Sequence, residues 1–273
     1  MNLKKGTIFF PISRNDKPVH FLCICAHPDD AEIMAVDGIL KGYSSSSSSF
    51  ALIVLTDGAG SSRSGEYKDF TDGMMIEERR IEQQKASEIG HYHSLYMLNY
   101  SSKEVKDKEN KDIKEEIKAI IKELKPSVIY THSILDKHLT HLACARKVIE
   151  ALRELDKEHL PQQLYGMEVW RGLDWIKDER KIGFDVSNNP ELQEELLNVF
   201  VSQIASGKGY KEASIGRRYQ NATYYQSHSL DRSKMMTYGI DLLPLINNPS
   251  LSIKEYALSF VEDLKEEIIE AYK

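Results

Sequence analysis

The stretch Phe21-Leu22-Cys23-Ile24-Cys25-Ala26-His27-Pro28-Asp29-Asp30 runs from six apolar or small residues directly into a polar His-Pro-Asp-Asp cluster. The apolar run predicts a buried strand, which ends at Pro28 because proline has no amide hydrogen and favours extended geometry at His27. The polar side chains are then at a strand's carboxyl edge, where open α/β sheets bind ligands. An imidazole beside two carboxylates suits Zn²⁺, and the same residues also fit a turn with an aspartate helix cap.

The composition indicates a folded chain that acts on a small molecule. Of 273 residues, 41% are apolar and 29% are charged, which favours one large globular domain or a domain with an extended C-terminal portion. The net charge is −6, and no basic stripe with interleaved aromatic residues occurs. The electrostatic pattern of a nucleic-acid binder is therefore missing, and we predict a small-molecule substrate.

Cysteines and apolar runs bear on where the protein acts. Cys23, Cys25 and Cys144 are too few and too apolar in setting for a disulfide framework, so a reducing cytoplasm is predicted. The basic start at residues 1–5 is followed only by a short apolar run ending at Pro11, which predicts no signal peptide. No window approaches the length of a membrane span, and none is predicted.

Apolar runs alternate with amphipathic stretches along most of the chain. Continuous apolar runs between turn residues are typical of parallel strands buried on both faces, so the pattern predicts an α/β fold with a mostly parallel sheet and helices on both faces. The predicted strands are 21–26, 50–56, 95–98, 127–131, 164–170 and 182–186. The predicted helices are 31–43, 74–89, 103–125, 142–155, 192–204 and 252–271, and the serine run at 44–49 is predicted as a surface linker.

A long loop at residues 59–72 follows the predicted strand 50–56 and is rich in Gly, Ser and charge. Loops of this length in compact domains are more often functional than idle. Because the loop would overhang the same crevice as His27, Arg63 is a candidate for binding a substrate's polar groups. A solvated surface arginine is the alternative interpretation.

A second polar cluster follows the strand 127–131, in His132-Ser133-Ile134-Leu135-Asp136-Lys137-His138-Leu139-Thr140-His141. Taken alone, His138 and His141 fit surface or capping positions, with the Thr140 hydroxyl capping the next helix. Taken with the first cluster, they supply the mixed histidine and carboxylate set of a catalytic zinc, because both clusters are delivered to one sheet edge.

The two motifs, Ala26-His27-Pro28-Asp29-Asp30 and, later, Thr131-His132 with Asp136 to His141, resemble the PIG-L/LmbE family of metal-dependent de-N-acetylases. The resemblance covers residues 20–155 and extends more weakly through 164–175 and 219–229. It implies a Rossmann-like fold with the metal site at the carboxyl ends of the strands. It also implies a single domain over residues 1–273, with a core at about 20–190 and a helical C-terminal portion at about 190–273.

The resemblance also implies roles for individual residues: metal ligands at His27, Asp30 and His141, the base at Asp29, and at His138 a group that polarises the amide or protonates the leaving amine. Zn²⁺ is the implied metal, with another divalent metal such as Fe²⁺ left open.

This sequence departs from the family pattern at two places. Leu139-Thr140 stands where the family commonly has Pro-Asp, and Ala31 where it often has Glu. Threonine can replace aspartate as a helix cap, but not as a charge that tunes a neighbouring histidine's pKa. The departure therefore bears on the acid at His138 and leaves the metal ligands intact.

The predicted function is a zinc-dependent hydrolase that removes the acetyl group from an N-acetylated amino sugar or its conjugate. The sequence does not fix the oligomeric state, and a homo-oligomer is one of the possible states. A non-catalytic metal- or carbohydrate-binding protein would keep the ligands but dispense with Asp29. A nucleotide-dependent Rossmann enzyme would need a Gly-rich turn where His-Pro-Asp-Asp stands. Trp170 lies in a segment resembling the family's pocket region and is predicted as a core residue, while residues 219–228 are predicted to line the pocket or make a subunit contact.

Overall fold

An eight-stranded sheet forms the centre of the molecule. The computed structural model describes residues 3–205, 207, 209–226 and 228–273, so the first two residues of the basic start lie outside the described part and the absence of a signal peptide stays a prediction. The strands are β1 (Thr7–Phe9), β2 (Val19–Cys25), β3 (Ser49–Thr56), β4 (Ser94–Tyr100), β5 (Val128–His132), β6 (Gln163–Met167), β7 (Ile182–Asp185) and β8 (Met236–Asp241).

The strand order is β1-β4-β3-β2-β5-β6-β8-β7, and the five strands from β4 to β6 are parallel. β1, β8 and β7 pair antiparallel at the two sides. The chain runs outward from β2 to β4 on one side, then returns to β5 beside β2 and runs outward again. The order of strands therefore reverses between β2 and β5, which is where open α/β sheets form their ligand crevice. The predicted mostly parallel sheet is confirmed.

Helices cover both faces of this sheet, and alternate residues of each central strand enter different cores. In β2, Leu22 and Ile24 belong to one apolar cluster, while Cys23 and Cys25 belong to the other. The helices are α1 (Asp30–Met34), α2 (Val36–Ser44), α3 (Asp72–Ile89), α4 (Ser102–Lys106), α5 (Asp112–Leu124), α6 (Leu139–Arg153), α7 (Pro190–Asn198), α8 (Val201–Ile204), α9 (Tyr210–Thr223), α10 (Leu243–Asn247) and α11 (Ile253–Ala271).

Three helices predicted as continuous are each divided. The stretch 31–43 breaks at Ala35, 192–204 breaks between α7 and α8, and 103–125 becomes α4 and α5. In the last case the buried Lys147 ammonium donates to the carbonyl oxygens of Lys108 and Asn110. These loop carbonyls are therefore hydrogen-bonded by a side chain and not by the backbone N–H groups of a helix. The serine run was also predicted wrongly in part, since Ser49 is buried and begins β3.

Two strands, β1 and β8, were not predicted at all. Both pair antiparallel, and β8 lies between β6 and β7 although it comes after both in the chain. The C-terminal portion is therefore not purely helical, because it supplies a strand to the sheet. In the described part of the chain, no helix has both the length and the apolarity needed to cross a membrane.

Candidate active site

The three predicted metal ligands meet at the point where the strand order reverses. His27 and Asp30 follow β2, and His141 lies in the first turn of α6, which follows β5. His27 Nδ1 lies 3.1 Å from His141 Nε2 and 3.2 Å from Asp30 Oδ2, and His141 Nε2 lies 3.4 Å from Asp30 Oδ1. Donor atoms of a tetrahedral Zn²⁺ are about 3.3 Å apart when bond lengths are near 2.0 Å. The donor set therefore fits a divalent metal, with His27 partly open to the cavity.

Two further histidines lie close to this set, and the ligand atoms form two overlapping groups. One group is His27, His138 and His141, and the other is Asp30, His132 and His141. His132 is fully buried and its ring stacks on that of His141 with centroids 3.9 Å apart. Its Nε2 accepts a hydrogen bond from Ala26 N at 2.9 Å, which occupies the lone pair that a metal would need. His132 therefore packs behind the cluster. The predicted ligand set combines the shared His141 with His27 from one group and Asp30 from the other.

The electrostatics of the cluster keep its ligands in the forms that bind metal. Burial lowers the pKa of His141 to about 4, so its imidazole is neutral at physiological pH. Burial acts to raise the pKa of Asp30, but the neighbouring His141 and His132 outweigh it and hold that carboxyl well below its usual range. Ligands must be deprotonated to bind a metal, and both of these groups are.

Asp136 orients one of the ligands. Its Oδ2 accepts from His141 Nδ1 at 3.1 Å and from Trp170 N at 3.2 Å, while its Oδ1 accepts from His138 N at 3.0 Å. Because Nδ1 of His141 is engaged in this way, its Nε2 lone pair is left for the metal. The sequence analysis quoted Asp136 within the second cluster but gave it no role.

Replacing Asp136 by Asn is expected to weaken metal binding about 10- to 100-fold, because the amide cannot accept at both oxygens and the imidazole loses its fixed orientation. Competition against a chromogenic chelator measures the affinity. The matched control is Asp156→Asn, since Asp156 is exposed and remote from the cluster. Equal affinity in the two variants would contradict the role given to Asp136.

Asp29 lies beside the ligands in a strained backbone conformation. Its φ of 86° is in the left-handed region, which non-glycine residues occupy at a cost of about 1–3 kcal/mol. Residues in such conformations cluster at functional sites. The buried Arg79 donates to Asp29 Oδ2 at 2.8 Å and to the carbonyl of Pro28, and it also pairs with Glu82 at 2.8 Å. Burial raises the pKa of Asp29 to about 6, against the opposing charge of Arg79. The group is thus matched to proton transfer near neutral pH.

A second network holds the Asp29 backbone from behind. Asp29 N donates to Gln83 Oε1 at 3.0 Å, and Gln83 Nε2 donates to Glu32 Oε1 at 2.8 Å. The hydroxyl of Tyr92 donates to the same Glu32 oxygen at 2.8 Å. The strained turn is therefore fixed both at its side chain and at its amide, and the Asp29 carboxylate cannot rotate away from the neighbouring cluster without breaking buried hydrogen bonds.

His138 occupies the wall of the site opposite Asp29. It is the N-cap residue of α6, with ψ of 119°, and Thr140 lies inside the helix; the prediction that Thr140 caps α6 is therefore wrong. Burial lowers the pKa of His138. The ring of Trp170 lies nearly parallel to it, with centroids 6.3 Å apart. Trp170 is half-buried: it packs against one of the two apolar clusters, as its prediction as a core residue requires, and it also lines the cavity.

These groups open into a cavity of about 580 Å³, within the range of small-molecule sites. Its lining includes Gly60, Ser61 and Ser62 of the loop predicted to overhang the crevice. Arg63 itself is not among the lining residues: it donates to Ala59 O at 3.0 Å and pairs with Asp72 at 2.6 Å. Its role in substrate binding stays a prediction.

Another part of the cavity wall comes from α9. The residues that line the cavity there are Tyr210, Ala213, Ser214 and Arg217, which share one helical face by their i, i+3, i+4, i+7 spacing. None of the described residues of the aromatic-rich segment 219–228 lines the cavity, and Ser227 lies outside the described residues. Tyr219 and Tyr224 are exposed, and the alternative of a subunit contact stays a prediction.

The functional residues that sequence reasoning missed carry a common signal. Arg79, Glu82 and Gln83 have the i, i+3, i+4 spacing of one helical face, and all three are buried. A polar stripe on the inward side of a helix is unusual, because buried charges need partners. The sequence pattern of α3 was interpreted as a helix of mixed charges, without regard to which charged positions share a face.

Comparisons with known proteins agree with this arrangement. The family model described as GlcNAc-PI de-N-acetylase, PIG-L, matches residues 22–152. N,N'-diacetylchitobiose deacetylase from Pyrococcus horikoshii has a TM-score of 0.63 at 16% identity, covering 91% of this chain and 90% of its own. The conserved protein TT1542 from Thermus thermophilus has a TM-score of 0.63 at 19% identity, covering 86% of this chain and 99% of its own.

The 4-carboxy-2-hydroxymuconate hydratase GalB from Pseudomonas putida is also similar, with a TM-score of 0.58 at 14% identity and coverages of 83% of this chain and 96% of its own. At these identities the likeness shows a common fold, and a hydratase beside a deacetylase means that the fold alone does not fix the reaction. A search of curated proteins found no significant match.

Proposed function

We propose that this chain, whose residues 22–152 match the PIG-L family model, is a metal-dependent de-N-acetylase that hydrolyses the acetamido group of an N-acetylated amino sugar or its conjugate. The observation that carries the proposal is the convergence of His27, Asp30 and His141, with donor atoms 3.1–3.4 Å apart, next to the Asp29 carboxylate at the cavity. Three protein ligands leave one position of a tetrahedral metal open. Zn²⁺ suits this set, and Fe²⁺ accepts the same donor types.

When bound, such a metal supplies Lewis acidity to the amide carbonyl and to the attacking water. Asp29 takes a proton from that water as the new carbon–oxygen bond forms. Arg79 holds Asp29 Oδ2, so Oδ1 is the oxygen left for the proton. These contacts support Asp29 as a base and not a ligand, because Arg79 and Gln83, and not the metal cluster, fix its geometry.

Collapse of the adduct breaks the carbon–nitrogen bond, so the products are acetate and a free amine. An amine anion is a very poor leaving group, and the nitrogen must be protonated as it departs. His138 lines the cavity and, in its protonated form, would pass a proton to the departing nitrogen. The proton that Asp29 takes from the water balances the one that His138 gives. The backbone N–H of His138 donates to Asp136 Oδ1, which anchors the main chain at this residue, and the ring of Trp170 lies nearly parallel to the imidazole.

The direct test is incubation of the purified chain with a panel of N-acetylglucosamine conjugates, followed by mass spectrometry of acetate and product amine. Equimolar acetate and amine are expected, with activity removed by a chelator and restored by Zn²⁺ or Fe²⁺. A non-catalytic binding protein would retain the ligand without releasing acetate. Water added to a substrate without loss of acetate would indicate a hydratase instead, and either result would overturn the proposal.

A further inference from the structure

The acidic and basic residues that line the cavity are unevenly distributed. In the described part of the chain, its carboxylates are Asp29 and Asp30, and both belong to the catalytic cluster. Its cations, histidines aside, are Arg79, Lys106 and Arg217. Arg79 is neutralised by Asp29 and Glu82. Away from the catalytic cluster, the walls therefore carry positive charge with no lining carboxylate to balance it.

Of the two remaining cations, Arg217 is the less exposed. It is half-buried on the cavity face of α9, and its Nη1 donates to the carbonyl oxygen of Val169, next to Trp170. Trp170 in turn contacts Tyr210 of the same helix, with ring centroids 5.9 Å apart. Arg217 and Trp170 thus line the same cavity, and the planar guanidinium has five N–H donors in all.

No carboxylate pairs with Arg217 among the described residues. Glu168 is near enough for the Arg217 charge to act on it, yet burial is the larger effect and raises the pKa of Glu168. Glu168 accepts three hydrogen bonds within the wall: Asn221 Nδ2 and Tyr238 N donate to Oε1, and Leu173 N donates to Oε2 at 3.0 Å. Among the described residues no hydrogen bond joins Glu168 to Arg217, whose Nη1 donates to Val169 O instead.

We propose that Arg217, beside Trp170, forms a subsite for an anionic group on the part of the substrate away from the acetamido group, a phosphate or a carboxylate. This rests on the proposed de-N-acetylase function and names a substrate class for it. A planar, permanently charged guanidinium binds both oxyanions through paired hydrogen bonds. Lys106 is assigned no such role, because it is exposed and lies after β4, on the opposite side of the crevice from α9.

The test compares three conjugates of one sugar: methyl N-acetylglucosaminide, N-acetylglucosamine 1-phosphate and a carboxymethyl glycoside of N-acetylglucosamine. In the wild type, kcat/KM is expected to be higher for at least one anionic conjugate than for the neutral one. In Arg217→Gln, the ratio of anionic to neutral kcat/KM should fall about 10- to 100-fold, the range for a hydrogen bond to a charged group. The arm that falls further identifies phosphate or carboxylate. Arg217→Lys should recover only part of the ratio, because the paired geometry is lost.

The matched control is Lys211→Gln, which removes the same charge from the same helix at a residue that pairs with Glu194 at 3.5 Å and does not line the cavity. Its ratio should equal that of the wild type. If Arg217→Gln lowers kcat/KM for all three conjugates by the same factor, Arg217 only braces Val169 and the subsite is wrong. A ratio that falls in Lys106→Gln but not in Arg217→Gln would also overturn the assignment.

Failure of the enzyme proposal is distinguishable from failure of the subsite. If no conjugate yields acetate, calorimetric binding of the same three compounds to the as-purified chain still measures the preference. Tighter binding of an anionic conjugate that is lost in Arg217→Gln supports the subsite in a protein that is not a de-N-acetylase. No preference for either anion, in binding or in turnover, contradicts it.

Discussion

Replacing Asp29 by Asn is expected to lower kcat by about 10²- to 10⁴-fold, the usual contribution of a positioned general base, while leaving the metal content unchanged. Asparagine is the informative substitution because the residue has a φ of 86°, a conformation that Asn adopts far more readily than Ala. The Asn side-chain oxygen can still accept from Arg79, so the buried guanidinium keeps a partner. The change therefore removes the proton acceptor with little effect on the fold.

Turnover with N-acetylglucosamine conjugates and elemental analysis of the same preparation measure the two quantities together. Asp57→Asn is the matched control, since Asp57 ends a neighbouring strand but is absent from the cavity lining. A rate near that of the wild type would exclude Asp29 as the base. Loss of both metal and activity would mean that the roles of Asp29 and Asp30 have been exchanged.

The part of the site that could be predicted from sequence is the part in which chemistry follows directly on a strand. His27 and Asp30 come within a few residues of the apolar run that forms β2, and His141 comes soon after β5. Since parallel strands present their carboxyl ends at one edge, two local patterns were enough to bring both polar clusters together, and the family resemblance then implied which three residues are the ligands. The distances of 3.1–3.4 Å among their donor atoms agree with that inference.

The groups that hold the site in place could not be obtained in this way. Arg79 reaches Asp29 from the middle of α3, and Glu168 is fixed by α9 and β8, so these contacts join segments far apart in the chain. Strand β8 was missed for the same reason: its pairing with β6 and β7 depends on tertiary context that a short apolar run does not reveal. Trp170 was assigned to the core because large aromatic side chains are often buried, and it does pack against an apolar cluster, but its second role as a cavity-lining residue near His138 depends on tertiary context.

Removing two of the ligands, in a His27→Ala/His141→Ala variant, is expected to abolish both metal binding and deacetylation. The wild type should carry about one divalent metal per chain by elemental analysis, and the variant close to none, because Asp30 alone cannot hold the ion against water. His228→Ala is the control, since His228 is exposed and belongs to neither group of ligand atoms.

Single variants then decide which ligand set is used. His27 and His132 each contribute to one of the two groups that share His141, but the lone pair of His132 Nε2 is occupied by Ala26 N–H. His27→Ala should therefore lose the metal, whereas His132→Asn should retain it with reduced affinity, because a packing contact behind His141 is altered. Thermal unfolding of the metal-depleted forms separates this effect from a loss of fold. If His27→Ala keeps its metal while His132→Asn loses it, the ion lies in the buried group of Asp30, His132 and His141, away from the cavity. The mechanism built on an open coordination position beside Asp29 would then be wrong, because a metal enclosed in that way has no substrate-accessible site.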